Sequence, residues 1–342
     1  MLETFGQNLR EVLGPLAEWA RHCYAQLIGP NERHDWLWLV SALIATDLLY
    51  RFWNRPKLEA FWSYAAPWRI YSHPSAVLDY KFIFVDRLVM LFVVGPMLVS
   101  ALALGNWGSK LLAAWLGPGP AWTPSLTALI IFGAVRLLLF DLGHYIGHYI
   151  LHKVPFFWEF HKVHHSAEVL TPVTAYRVHP VEEILVSVFQ GPLQALGIAG
   201  FYYLYGADQT LMTFVGMNAV IVPYFLIGSL THSHVWISFG PALEHIFISP
   251  AQHQVHHSTA PQHLDTNLAQ YFSLFDWIGG TLYIPKGQET LDFGLSEGVD
   301  SELKTVWSLY WVPLKRAFGL LLGSYTPLTN APGSETAKSV GA

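Results

Sequence analysis

Apolar residues run along this 342-residue chain in five long windows separated by polar, turn-rich stretches. The windows cover residues 36–50, 88–104, 125–140, 184–205 and 211–230. Each approaches the roughly 20 residues that a helix needs to cross a bilayer. Asp47 interrupts the first, FIFV at 82–85 extends the second upstream, and Arg136 sits near the end of the third. A short GADQ turn joins the fourth and fifth into a hairpin. The pattern predicts an all-α protein, a multi-pass transmembrane helical bundle, in preference to a soluble protein with buried helices. Residues 1–34 read as an amphipathic segment on the membrane surface, and the small, polar end from Ala331 reads as disordered.

Composition supports the membrane reading. Charged residues make up 13% of the chain and hydrophobic ones 52%, whereas soluble domains carry about 25% charged residues. Fourteen tryptophans and sixteen tyrosines suit aromatic belts at the two membrane interfaces. The single Cys23 excludes a disulfide framework and a cysteine-held iron–sulfur cluster, so any metal is held by nitrogen and oxygen. The net charge of −5, with no basic patch, gives no sign of nucleic-acid binding. Lys and Arg are unevenly placed. Arg51, Arg55, Lys57, Arg69, Lys81 and Arg87 crowd the first long connection, while the connection at 106–124 holds only Lys110. The positive-inside bias puts the first connection in the cytoplasm and the second outside. Following the windows onward, every histidine cluster then falls on the cytoplasmic face.

Those clusters carry the chemistry. Of seventeen histidines, fourteen lie between His144 and His263. HYIGHYILH holds His144, His148 and His152, and HKVHH holds His161, His164 and His165. His179 precedes Pro180, THSH holds His232 and His234, and HQVHH holds His253, His256 and His257. Residues three and four apart share a helix face, so each HxxHH box can aim three rings at one point. Eight or more imidazoles exceed the four ligands of a tetrahedral zinc. They suit two metals, each with a position left open. Imidazole accepts Zn, Cu, Fe or Ni, and an all-histidine dinuclear site in a membrane points to iron activating O2.

The boxes and their connecting phrases resemble the fatty acid hydroxylase superfamily, also called the sterol desaturase family, of integral-membrane non-haem di-iron oxygenases. The resemblance runs from about Asp141 to Pro285. Asp141, His148, His152, the KVP turn, FFWEF and HKVHH follow the family's opening run. Arg177, His179, Pro180 and Glu182 match its Arg-x-His-Pro-x-Glu phrase. His232-Ser233, Gly240-Pro241, Ser249-Pro250, HQVHH, Asp265-Thr266-Asn267 and the closing Asp276, Gly280 and Thr281 match the rest. The resemblance implies nine metal ligands: His148, His152, His161, His164, His165, His232, His253, His256 and His257. His144, His179, His234, Asp141, Glu182, Asp265, Asn267 and Asp276 stand near the site, as further ligands or as partners that orient ligands. Glu159 is expected to be a solvated charge. The chain departs from the family at His234, where Asn is usual, at Leu268, where an aromatic is common, and at His245.

The resulting expectation is a cytoplasmic, histidine-rich helical cap holding two Fe2+ ions on a membrane bundle. Residues 1–34 form an interfacial segment, 35–140 the membrane helices, 141–285 the catalytic domain and 286–342 an extension. O2 is the co-substrate, and the substrate is a lipid drawn from the bilayer. Electrons come from a separate cytochrome, ferredoxin or reductase, since the chain has no flavin or haem signature. Hydroxylation of an unactivated C–H bond is favoured over desaturation, which would use the same site. A zinc-binding membrane protein is the alternative from another class.

Overall fold

Hydroxyl, histidine and proline residues at the ends of the apolar runs set where the helices begin. In the computed structural model, the described residues are 44, 46–48, 50–51, 61–97, 100–207, 230–295 and 302–326. The 1–34 segment, most of the first apolar window, nearly all of the fifth and the polar end lie outside them. Helix α1 is Pro74–Val89, started by His73, whose ring accepts the Ser75 N–H. Ser100 caps α2 (Ala101–Leu116), and Ser125 caps α3 (Leu126–Lys153). Helix α4 is Pro155–His165, and α5 is Pro180–Tyr205 with His179 as its cap. Helices α6 (Pro250–His256), α7 (Ser273–Gly279) and α8 (Val306–Leu321) follow. No strand occurs among the described residues, only an isolated bridge between Ser258 and Phe293.

The window at 88–104 is not one helix. Helix α1 ends at Val89, a π-turn covers Met90–Val94, a 3-10 turn covers Gly95–Met97, and α2 starts afresh at Ser100. Gly95-Pro96 breaks the run, since proline lacks the N–H that a continuing helix would use. By contrast, α3 and α5 run 28 and 26 residues and are long and apolar enough to cross a membrane. At 1.5 Å per residue they reach roughly 40 Å, more than the roughly 30 Å hydrocarbon core. The last turns of α3 carry His144, His148 and His152, so a membrane-length helix and the first histidine box are one element.

Helices α2, α3 and α5 pack side by side. On α2, Gly105 meets Ala195 and Ile198 and Gly108 meets Ala199, while just beyond the helix end Gly119 meets Tyr203. The two helices therefore run parallel, and the Trp122 N–H bonds the Leu204 carbonyl at their far end. Helix α3 returns antiparallel, with Phe132 on Phe201 at 4.3 Å and Gly147 against Val186. The histidine end of α3 thus meets the start of α5. Leu126, Ile130, Ile131, Val135 and Leu138 face outward from α3.

A second layer forms where α1, α4 and α8 pack, with Leu78, Phe82, Val163, Leu295, Leu303 and Leu309 as its core. Arg177 is buried here, bonding Asp79 at 2.5 Å, Ser166 at 3.3 Å and the Ser75 carbonyl at 2.8 Å. This ties α1 to the segment that leads into α5. Glu159 is not solvated as expected. It is buried on α4 and accepts from Lys162, also buried, at 2.6 Å. The box that points His161 and His164 into the protein turns this pair inward as well, and each charge satisfies the other.

Close approach of α3 and α5 depends on Gly143, where a Cβ would lie 2.6 Å from the Gln190 Cα. Gly143→Ala should lower stability by about 1–3 kcal/mol through overpacking. Gly200→Ala on α5, where a Cβ meets nothing within 4 Å, should be neutral or raise it by about 0.4–1 kcal/mol. Thermal unfolding in detergent compares the two. Equal melting shifts would show that the helices do not need this contact.

Candidate metal centre

Four short stretches of chain bring the imidazoles together: the end of α3, all of α4, the turn at Thr231-His232 and α6. Proline at the first turn fixes the start of both α4 and α6. Helix α6 is further held by a reciprocal cap between Ser249 and Gln252. Glu244 anchors that cap, accepting the Ser249 hydroxyl at 2.6 Å.

The rings form two groups. His148, His152, His161, His165 and His256 make one, and His164, His232, His253 and His257 the other. Within each group the potential ligand atoms lie within 4.8 Å of one another. The expectation that each HxxHH box aims three rings at one point is therefore corrected. The i and i+4 histidines of a box share a group, and the i+3 histidine crosses to the other. A helix turns 100° per residue, so i and i+4 diverge by about 40° while i+3 falls on the other side of i. The boxes on α4 and α6 face each other and exchange their odd members.

Which atoms point inward is set from outside. The Nδ1 of His148 donates to the Leu268 carbonyl at 2.7 Å, that of His256 to the Thr266 carbonyl at 2.8 Å and that of His164 to the Arg177 carbonyl at 3.3 Å. His152 Nδ1 donates to Asp265 at 3.1 Å, and His161 Nδ1 lies 2.9 Å from Glu182. A proton held at Nδ1 leaves Nε2 as a lone pair. These lone pairs converge. His148 Nε2 is 2.9 Å from His161 Nε2, which is 3.1 Å from His165 Nε2. His232 Nε2 is 3.1, 2.9 and 3.1 Å from those of His164, His253 and His257. His152 Nε2 and His256 Nε2 are buried without any hydrogen-bond partner.

Burial holds the His164 imidazole down to about 3 and that of His256 down to about 4. Burial and the neighbouring rings push His161, His165, His253 and His257 well below the usual range. Neutral rings with inward lone pairs are the form that binds a cation. All-nitrogen donor sets of this kind fit iron, zinc, copper or nickel.

Other candidates act at one remove. Asp141 touches no imidazole. Its buried carboxylate accepts the backbone N–H groups of Gln270, Tyr271 and Phe272 at 2.6–3.2 Å. Asp276 accepts those of Leu268 and Ala269 and the Thr281 hydroxyl. The two aspartates pin the loop whose Leu268 carbonyl orients His148. Asn267 takes a left-handed φ of 54° and links the Gln252 carbonyl to the Tyr283 N–H. Asp265, also left-handed at 58°, serves both His152 and Lys153.

His144, His179 and His234 join neither group. His144 meets His148 edge to face at 5.3 Å and lines the adjoining cavity. His179 caps α5 and reaches the Tyr310 carbonyl at 3.1 Å, and His234 reaches the Tyr64 carbonyl at 2.7 Å. His245 is exposed on the Pro241 carbonyl, and His263 is buried 3.0 Å from Glu289. The sequence did not single out Asp79, Lys162 or the carbonyls that orient the rings.

A cavity of about 130 Å3 adjoins both groups, walled by Phe140, His144, Val186, Gln190, Gln270 and Tyr271 among others. It is close to the roughly 150 Å3 that admits a benzene ring, room for a short length of a lipid.

Residues 133–281 match the family model described as fatty acid hydroxylase. It is similar to the ornithine lipid hydroxylase OlsE of Rhizobium tropici, at 30% identity over 47% of this chain and 44% of that protein. The very-long-chain aldehyde decarbonylase GL1-1 of Oryza sativa subsp. indica is 31% identical over 46% of this chain and 26% of its own length. The alkylglycerol monooxygenase of Danio rerio is 27% identical over 52% and 36%. The chain thus spans under half the length of these relatives. No solved structure matches it.

If Asp141 holds the 268–272 loop, Asp141→Ala should strip hydrogen-exchange protection from the amides of Gln270, Tyr271 and Phe272. The N-terminal half of α3 should keep its protection. Unchanged exchange in that loop would show that other contacts hold it.

Proposed function

We propose that this protein is a membrane-bound, O2-dependent lipid oxygenase that holds two iron ions and hydroxylates an unactivated C–H bond. The observation that carries the reading is the pair of imidazole groups, five and four nitrogens converging beside a cavity of about 130 Å3. Four imidazoles would satisfy a tetrahedral zinc completely. Five exceed the four ligands that zinc takes in such a site, so the first group favours iron, and the all-nitrogen set of four would accept iron as well.

His148, His152, His161, His165 and His256 would hold one ion, and His164, His232, His253 and His257 the other. When bound, iron supplies the redox chemistry that activates O2 against a C–H bond. The chain's own residues do the rest. The outward Nδ1 bonds to Leu268, Thr266, Arg177 and Asp265 fix the tautomers and ring angles of His148, His256, His164 and His152, and Glu182 lies 2.9 Å from the His161 Nδ1. Phe140, Val186 and Tyr271 exclude water from the cavity wall and position one carbon of the substrate. Helices α3 and α5 span the bilayer within a multi-pass protein, with the histidines on the cytoplasmic side, where a separate electron-transfer protein docks. The relatives named for ornithine lipids and alkylglycerols support an amphiphilic lipid as the substrate class. Hydroxylation is favoured over desaturation on the same support.

Purified chain loaded with Fe2+ should contain about two irons and consume O2 with a reductant and a lipid extract, the lipid gaining one oxygen atom. His164→Ala should abolish turnover. Asp265→Ala, which removes the carboxylate that orients His152 and pairs with Lys153, should weaken iron binding by roughly 10–100-fold. Stoichiometric zinc with no O2 uptake after iron loading would overturn the reading.

A further inference from the structure

Two short segments on the cap reverse the usual water-facing pattern. In the stretch from Pro241 to Ile248, Leu243 is 51% exposed, Ile246 48% and Phe247 37%, while the only acid, Glu244, is fully buried. Glu244 turns inward to bond the Phe239 N–H and the Ser249 hydroxyl. On α7, Trp277 is 61% exposed and Ile278 75%, while Asp276 is buried on backbone N–H groups. Apolar side chains point out and carboxylates point in. The segments adjoin, since the His245 ring meets Trp277 at 6.0 Å and Phe247 meets Phe272 at 5.7 Å. Together they form one exposed apolar patch whose only ionisable side chain is His245.

The position of this patch along α3 indicates what covers it. Tyr271 and Phe272 pack on Leu137 and Phe140, and Phe275 meets Tyr145 at 6.3 Å. A Cβ on Gly279 would strike the Tyr145 hydroxyl. The outward apolar row of α3 reaches as far as Leu138, so the patch begins within roughly 10 Å of it along the helix axis. It continues the apolar flank of α3 without a charged break. Tryptophan at that height matches its preference for the membrane–water boundary. Tyr271 and Phe140 also wall the cavity, so the patch flanks the cavity on that side.

We propose that Leu243, Ile246, Phe247, Trp277 and Ile278 are immersed in the lipid leaflet, seating the cap on the bilayer beside the cavity. The surface takes phospholipid acyl chains at headgroup depth, not a protein partner. The proposal rests on the reading of α3 as a membrane span. A cap seated in this way opens its cavity wall toward lipid, so a substrate reaches the histidines without crossing water.

The single native cysteine makes the test direct. In a Cys23→Ser background, Ile278→Cys, Ile130→Cys and Gln262→Cys are each labelled with an environment-sensitive fluorophore. The full chain is reconstituted in phosphatidylcholine vesicles carrying nitroxide lipids labelled at a shallow or a deep acyl carbon. Ile130 faces outward in the middle of the apolar part of α3. Gln262 is exposed beside Asp265, which bonds Lys153 at the opposite end of that helix. The deep nitroxide should quench the Ile130 label most, and neither should quench the Gln262 label. At Ile278 the shallow nitroxide should quench about twofold more than the deep one, as for groups roughly 5–10 Å into the boundary. An Ile278 label that behaves like Gln262 while Ile130 is quenched would overturn the proposal alone. A blue-shifted but unquenched Ile278 label would also overturn it, because protein would then cover the patch. An unquenched Ile130 label would overturn the membrane span itself.

Discussion

Convergence of imidazole lone pairs in a dry interior is the constraint on which the rest of this structure depends. Nine neutral rings could be buried cheaply if each nitrogen had its own partner. Here the Nδ1 atoms whose bonds are described face outward, onto carbonyls and carboxylates, and the Nε2 atoms crowd one another at about 3 Å. Without a cation between them such lone pairs repel, and the Nε2 atoms of His152 and His256 have no hydrogen-bond partner. The fold must therefore hold the rings against their own repulsion. Both charged and apolar devices serve that end: the Arg177–Asp79 and Lys162–Glu159 pairs, the reciprocal cap on α6, and the core shared by α1, α4 and α8.

The aspartates show how the framework extends beyond the rings. Asp141 and Asp276 were expected to face imidazoles, but they bind backbone N–H groups of one loop instead. Each carboxylate satisfies several donors that a buried loop would otherwise leave unpaired. The loop in turn presents a carbonyl to His148. Orientation thus passes from a carboxylate to a backbone segment to a ring, and the acid need not touch the ligand.

The sequence disclosed these features unevenly, for physical reasons. The apolar parts of α3 and α5 were legible because their runs are long, although the window at 125–140 stops 13 residues short of the end of α3. The run at 88–104 looked similar in average hydrophobicity, yet Gly95-Pro96 breaks its hydrogen-bond ladder, which an average conceals. Histidine spacing disclosed that the rings gather. It did not disclose how they divide, because that depends on the angle between two short helices distant in sequence. Asp79 and Arg177 lie 98 residues apart, and nothing in local pattern links them. Orienting carbonyls were invisible for a simpler reason: every residue has one.

The exchange of odd members between the two histidine boxes has a mechanical consequence. Helix α6 spans only seven residues and supplies His253 to one group and His256 to the other, and α4 does the same with His161 and His164. A rotation of either helix that improved the grip on one ion would loosen the other. The two groups therefore share a single compliance, so in the proposed two-iron form filling the first would stiffen the frame that receives the second. Insertion or deletion of one residue in either box would misalign both at once.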